Sequence, residues 1–344
     1  MQGVRLGIDL GTSMVRIATE THGIVLREPS VIAINSKTGK LVAVGKEAED
    51  MIDREPASIK IIRPIQKGTV SDYDCTEMML HELISRVCAY RIFKPRAAIN
   101  IPSLVTEVEE RSIVQAAASV GVRRTALIQS HIAAALGSGL DISDPHGCMI
   151  VDIGAGTTEA AVLSIGGIVA SKSVRVGGND MDDAIIRGVH NRYMHIIGKK
   201  TAEEIKKSLA TAYPEDEEME IRGRDALTGL PGVKTISATD VREFIEEQME
   251  SIRNTVQFVL ETTPPEMASD VMSDGIMLTG GVSQMKGMLD YLERETGVPC
   301  RLAENPEDCV AIGTRLAVRN LKRPVADIYD VNPFSYDRSD WMEV

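Results

Sequence analysis

Cys148 to Leu163 reads C-M-I-V-D-I-G-A-G-T-T-E-A-A-V-L. An apolar run, Met149 to Val151, ends on Asp152, and a glycine turn, two threonines and a second apolar run follow. The pattern predicts strand, tight turn, strand, with a carboxylate closing the first strand. Gly154 and Gly156 carry no Cβ, so the turn can curl several N–H groups around one anion. The same plan stands near the N-terminus in R-L-G-I-D-L-G-T-S-M-V-R-I-A, with Asp9 in the place of Asp152 and Gly11, Thr12 and Ser13 in the turn. One Asp-x-Gly turn is a common feature. Two of them, each opening one half of a 344-residue chain, predict a duplicated α/β architecture whose halves face each other across a cleft.

Composition narrows the function classes. A chain of this length holds two domains with sizeable cores. Aromatic residues make up only 3% against 16 methionines, so the cores are expected to be aliphatic. A net charge of −12 argues against a nucleic-acid-binding surface, which needs a basic field. The five cysteines are scattered and contain no C-x-x-C, as expected of reduced thiols in a cytoplasmic protein. No apolar run is long enough to span a membrane, and no signal peptide is read at the N-terminus.

Periodicity places the remaining elements. The opening is strand-rich, and Asp74 to Ala89 is amphipathic at helical spacing. Ala97 to Ile101 is a buried strand. Thr106, three residues before Glu109, marks a capping box that opens a helix to Val120. A small-residue helix runs from His131 to Gly139, and polar Asp141 to Gly147 separates the halves. The second half predicts helices at Asp180 to His195 and Thr201 to Thr211, and short strands near Met219 to Arg222 and Val233 to Ile236. One long helix, Asp240 to Glu261, is expected to end before Pro264. Gly275 to Leu278 is a strand, Met285 to Glu295 a helix, Val298 to Leu302 a strand and Cys309 to Asn320 the last helix.

The chemistry centres on the two acids. Carboxylates about 6 Å apart repel by about 3 kcal/mol at an effective dielectric near 20. A divalent cation between Asp9 and Asp152 relieves this, and Mg²⁺ suits a site with few protein ligands whose other positions go to water and phosphate. Amides of Gly11 to Ser13 and Gly154 to Thr157 would bracket the phosphates, with hydroxyls from Thr12 and Thr157. A third turn, L-T-G-G at 278–281, follows a strand and is expected to open a helix, a place for an anion or nucleotide edge. T-A-E-E-I-K at 201–206 reads either as a source of adenine or ribose contacts or as a capped, solvated helix.

G-I-D-L-G-T, V-D-I-G-A-G-T-T-E and L-T-G-G resemble the two phosphate motifs and the adenosine motif of the actin-like ATPase superfamily. Further stretches (G-I-V-L-R-E-P-S-V-I-A-I, I-R-P-I-Q-K-G, F-K-P-R, T-A-E-E-I-K and T-P-P-E-M-A-S-D-V) are similar to the MreB family of bacterial actin homologues, collinear from about Leu6 to Asn320. The resemblance implies an actin-like fold with two ribonuclease-H-like lobes, 1–143 and 144–320, around a nucleotide cleft. Smaller subdomains would lie near 31–72 and 181–238, and a tail at 321–344. It implies ATP or ADP with Mg²⁺ as cofactors, a homopolymer of paired protofilaments, an inner-membrane location, and wall-synthesis or other cytoskeletal partners. Position by position, it puts phosphate contacts on Gly11, Thr12, Ser13, Gly154, Ala155, Gly156 and Thr157. The metal-linked acids are Asp9 and Asp152. Adenosine contacts fall on Glu203, Lys206, Gly280, Gly281 and Ser283.

Two departures from the family pattern stand out. Where members read Ile-Glu-Glu-Pro, this chain has Ile128-Gln129-Ser130-His131, so the acid that positions the attacking water is missing. A positioned base contributes about 10²–10⁴ in rate, and slow hydrolysis is expected. Gln129 can orient a water as a glutamine does in actin; Ser130 and His131 stand beside it, and a histidine there is either catalytic or structural. The second departure is Gly-Gly-Val for Gly-Gly-Gly. Val282 does not readily take a positive φ, which predicts a reshaped adenosine pocket. Arg91-Ile92-Phe93-Lys94-Pro95-Arg96 matches the membrane-inserting loop of some members, with Ile92 and Phe93 either entering lipid or packing into the lobe. These features fit a divergent paralogue. A non-polymerising regulator of other filaments and a small-molecule kinase are its rivals.

Overall fold

The computed structural model describes residues 4–88 and 94–319. A meander opens the chain: β1 (Arg5–Leu10), β2 (Met14–Thr19) and β3 (Gly23–Pro29). An insertion follows, with β4 (Ile32–Asn35), β5 (Leu41–Val44), α1 (Lys46–Glu49) and β6 (Ile59–Ile62), then the small hairpin β7 (Ile65–Gln66) and β8 (Thr69–Val70). The first half ends with α2 (Tyr73–Cys88), β9 (Arg96–Ile101), α3 (Glu107–Ser119), β10 (Arg124–Gln129) and α4 (Ser130–Gly137). Its sheet has the order β10-β9-β1-β2-β3.

The second half repeats this plan. A meander of β11 (Cys148–Ile153), β12 (Thr158–Ser164) and β13 (Gly167–Val174) leads into α5 (Gly178–Tyr193), β14 (His195–Ile196) and α6 (Lys199–Leu209). A hairpin of β15 (Glu218–Asp225) and β16 (Pro231–Ser237) precedes α7 (Ala238–Phe244), α8 (Glu246–Thr262) and α9 (Pro265–Asp274). The chain continues through β17 (Ile276–Thr279), a 3₁₀ turn at Gly281–Gln284, α10 (Met288–Thr296), β18 (Cys300–Leu302) and α11 (Cys309–Arg319). The sheet order is β13-β12-β11-β17-β18. Each half is thus an antiparallel three-strand meander extended by two parallel strands on the side of its first strand. The duplication expected from the two Asp-Gly hairpins is present in the sheets.

Aliphatic side chains fill both cores, as the composition suggested. Leu6, Ile8, Ile17, Leu80 and Ile99 are buried in the first, and Val151, Ile185, Ile205, Ile252 and Leu278 in the second. A third cluster lies between the sheets, where Ile132 and Ala133 to Ala135 of α4 meet Val310 of α11 and Ile150, Ala161 and Met277 of the second sheet. Small residues make that crossing close: a Cβ on Gly137 would fall 1.8 Å from the Cys309 carbonyl oxygen, and one on Gly313 would fall 1.8 Å from that of Ala133. α11 also reaches the first sheet, where a Cβ on Gly7 would lie 2.4 Å from the Arg315 nitrogen. The last helix therefore ties the end of the second half back to β1.

Several elements differ from the sequence reading. The long helix expected over Asp240 to Glu261 is two helices joined at Ile245 (φ −97, ψ 6). The bend lets the Phe244 ring sit over Gly188 of α5 while α8 packs on β12 and β13. Pro264-Pro265, read as a terminator, also starts α9, because proline at the first helical position has no N–H to lose. The capping box at Thr106 and Glu109 forms as expected, with the Thr106 hydroxyl accepting from the Glu109 amide at 3.3 Å.

Candidate functional site

The β1–β2 and β11–β12 turns come together between the two halves. In the first, the Gly11 amide donates to the Met14 carbonyl (3.1 Å), and the Ser30 hydroxyl donates to the Gly11 carbonyl (2.6 Å). In the second, the Gly154 amide donates to the Thr157 carbonyl (2.9 Å). The N-terminus of α5 backs onto this turn, with the Gly178 and Asn179 amides donating to the carbonyls of Gly154 (3.0 Å) and Ala155 (2.8 Å). The two turns touch: a Cβ on Gly156 would fall 2.4 Å from the Thr12 hydroxyl oxygen. Into the same junction comes the β7–β8 hairpin, whose Gly68 amide donates to that hydroxyl (2.9 Å). Lys67 beside it pairs with Asp180 of α5.

Asp9 and Asp152 end their strands in this junction, 6% and 8% exposed. Burial is the main force on both, pushing each carboxyl up to about 6. Arg16 opposes the rise at Asp9 and the Asp152 charge adds to it. At Asp152 the Glu159 charge adds, and a hydrogen bond from the Thr279 hydroxyl (3.0 Å) opposes. Two buried acids that each raise the cost of ionising the cleft are chemically ready for a hard cation. Among the described residues no group of three or more His, Cys, Asp or Glu is arranged to hold a metal, so an ion here would take its other ligands from phosphate and water.

The third glycine turn joins the same assembly. Gly280 has φ 86, donates its amide to the Pro306 carbonyl (2.8 Å), and leaves no room for a Cβ, which would meet the Ile153 oxygen at 2.3 Å. The chain then tightens into a 3₁₀ turn, and α10 begins at Met288, a little after the Met285 start read from the sequence. The 3₁₀ backbone gives Val282 a φ that valine adopts freely: the non-glycine residues at positive φ among the described residues are Asp53, Lys67, Ile165 and Met194. Val282 thus avoids the positive φ that valine does not readily take. The Ser283 hydroxyl closes the turn by donating to the Gly280 carbonyl at 2.5 Å. On α6, Lys206 donates to the Gly178 carbonyl (2.9 Å) and to Asp182 (2.8 Å), while Glu203 pairs with Lys207 (2.7 Å). Gly178 is the meeting point, since a Cβ there would touch Lys206, Val282 and Ala155.

Gln129, Ser130 and His131 lie where β10 passes into α4. The Gln129 Oε1 is buried without a hydrogen-bond partner in the protein. The Ser130 hydroxyl accepts from Asn100 (3.1 Å), whose own oxygen receives the Leu10 amide (2.7 Å), so Ser130 braces the end of β1. His131 is fully buried, with Nδ1 2.9 Å from the Ser103 hydroxyl and 3.9 Å from Glu159. Burial lowers it to about 4, which keeps it neutral. Glu159 joins the halves by accepting from the Ser103 amide (2.8 Å) and the Ser173 hydroxyl (2.9 Å). The sequence reading gave no role to Asn100, Ser103, Arg16 or Glu159. Only the cross-strand register could have singled out Arg16 and Glu159, since each stands directly opposite an acid of the cleft. The expected membrane loop, Ile92 and Phe93, lies outside the described residues.

A sequence model of the MreB/Mbl protein family matches residues 3–325. The chain belongs to that family. It is 41% identical over 321 residues to the cell shape-determining protein Mbl of Bacillus subtilis, covering 92% of this chain and 96% of that one. Against the cell shape-determining protein MreB of Escherichia coli K12 the identity is 40% over 332 residues, covering 94% and 96%. The crystal structure of MreB5 of Spiroplasma citri bound to AMPPNP superposes with a TM-score of 0.88 at 34% identity, over 94% of this chain and 98% of that one. A MamK double helical filament shares the fold, with a TM-score of 0.80 at 19% identity over 94% of this chain and 100% of that one. The actin-like fold read from the motifs is thus shown. The described part of this family member contains no helix long and apolar enough to cross a membrane.

Proposed function

We propose that this MreB/Mbl-family chain binds ATP between its two hairpin turns and, when loaded, assembles into filaments of its own copies. The filaments lie on the inner face of the cell membrane and help set cell shape by organising wall synthesis. The observation that carries the reading is the contact of Gly156 with Thr12, which sets two amide-rich turns from opposite halves against each other. Gly11 to Ser13 and Gly154 to Thr157 would hold the phosphates, and Gly280, Gly281, Ser283, Glu203 and Lys206 the adenosine side. Asp9 and Asp152 would hold Mg²⁺, which supplies charge neutralisation for the phosphates. Solved relatives bound to AMPPNP and ADP support the nucleotide, and relatives named for cell shape support the role.

Hydrolysis is slow in this reading, because Gln129 orients a water but does not remove its proton. Ile92 and Phe93 supply about 1.5–3 kcal/mol each on entering lipid, too little for one subunit and enough for a filament that links many. The test is negative-stain electron microscopy of the purified chain on a lipid monolayer, with Mg-ATP and without nucleotide. Paired filaments that need ATP are expected. Tight ATP binding without filaments would point to a regulator of other filaments instead.

A further inference from the structure

Arg16 is the buried cation of the cleft, 9% exposed and directly opposite Asp9 in the β1–β2 register. Each edge of its guanidinium meets a carboxylate. Nη1 lies 3.4 Å from Asp9 Oδ2, Nη2 3.1 Å from Glu307 Oε2, and Nε 3.1 Å from Asp308 Oδ1. Arg27 shares Asp308 (2.6 Å), so the far side of the network is fixed independently. The 306–308 segment in turn frames the third glycine turn, since the Pro306 carbonyl receives the Gly280 amide (2.8 Å) and Glu307 receives the Gln284 side chain (3.0 Å).

This arrangement bears on how the cleft accepts charge. A divalent ion that takes Asp9 as a ligand must share that carboxylate's single charge with Nη1, the longest and weakest of the three contacts. Glu307 and Asp308 keep Arg16 in place when that happens, so its charge stays beside the first phosphate turn in either state. We propose that Arg16 is a resident counter-ion that competes with the divalent cation for Asp9 and leaves nucleotide binding only weakly dependent on that cation. The inference rests on the reading of the cleft as a nucleotide site.

The test is titration of the full chain with a fluorescent ATP analogue, in excess Mg²⁺ and in excess EDTA. For the wild-type chain the two dissociation constants should differ by less than about tenfold; a larger ratio overturns the proposal. In Arg16→Met, which keeps the length of the side chain and removes its charge, the ratio should grow by at least about tenfold, the scale of one charge-assisted hydrogen bond. Arg16→Lys should fall between the two. A ratio unchanged in Arg16→Met overturns the competition while leaving the nucleotide reading intact. Should Arg16→Met fail to fold, the wild-type ratio decides alone. No binding by the wild-type chain in either buffer overturns the nucleotide reading, and this inference with it.

Discussion

Asp152→Asn should make the nucleotide-free protein more stable, and by an amount that depends on pH. Burial holds the folded Asp152 carboxyl at about 6 against 3.8 in the open chain. The folded state therefore binds the proton more tightly, and stability falls as pH rises from about 4 through about 6 and is level above. At pH 7.5 the ionised group costs the fold about 3 kcal/mol, and at pH 5 about half of that. Asparagine keeps the volume and can still accept from the Thr279 hydroxyl, so the change removes the charge and little else. Thermal unfolding without nucleotide should show the variant ahead by about 5 °C at pH 7.5, with the gap narrowing at pH 5. With Mg-ATP the lead should shrink, because the wild-type acid gains a cation and the amide does not, and nucleotide-dependent assembly should be lost. A variant that melts below the wild type at both pH values without nucleotide would refute the strained-charge argument.

Gly156→Ala should weaken ATP binding by at least about tenfold in a titration, since its Cβ cannot share space with the Thr12 hydroxyl and the turns must part. Wild-type affinity would mean that the contact is not part of the site. Gln129→Ala should lower phosphate release further, and Gln129→Glu, which restores a base, should raise it by about a hundredfold or more in a coupled phosphate assay; equal rates in all three would remove Gln129 from the chemistry. Serine at both Ile92 and Phe93 should release filaments from liposomes in a sedimentation assay and leave assembly in solution unchanged. Continued liposome binding would exclude this loop as the anchor.

Local signals were legible where one residue's own chemistry decides the backbone. The Asp-Gly turns, the capping box at Thr106 and the strands around Ile99 and Ile150 all follow from side-chain alternation, glycine freedom or hydroxyl capping within a few residues. The misread elements were settled by partners far away in the chain. Ile245 bends a continuous helical pattern because Phe244 finds Gly188.

By itself, the sequence determined the duplicated hairpins, the aliphatic cores and the family, because each is written in spacing and composition. Only the tertiary structure decided that Gly156 meets Thr12, that α11 returns to Gly7 of the first sheet, and that His131 is a buried neutral neighbour of Glu159. The charge balance of the cleft belongs to the same class. Whether Asp9 faces a cation, and whether Arg16 is free or held by Glu307 and Asp308, depends on groups nearly three hundred residues apart. Electrostatic energy follows distance and burial, and a linear pattern specifies neither for residues that only folding brings together.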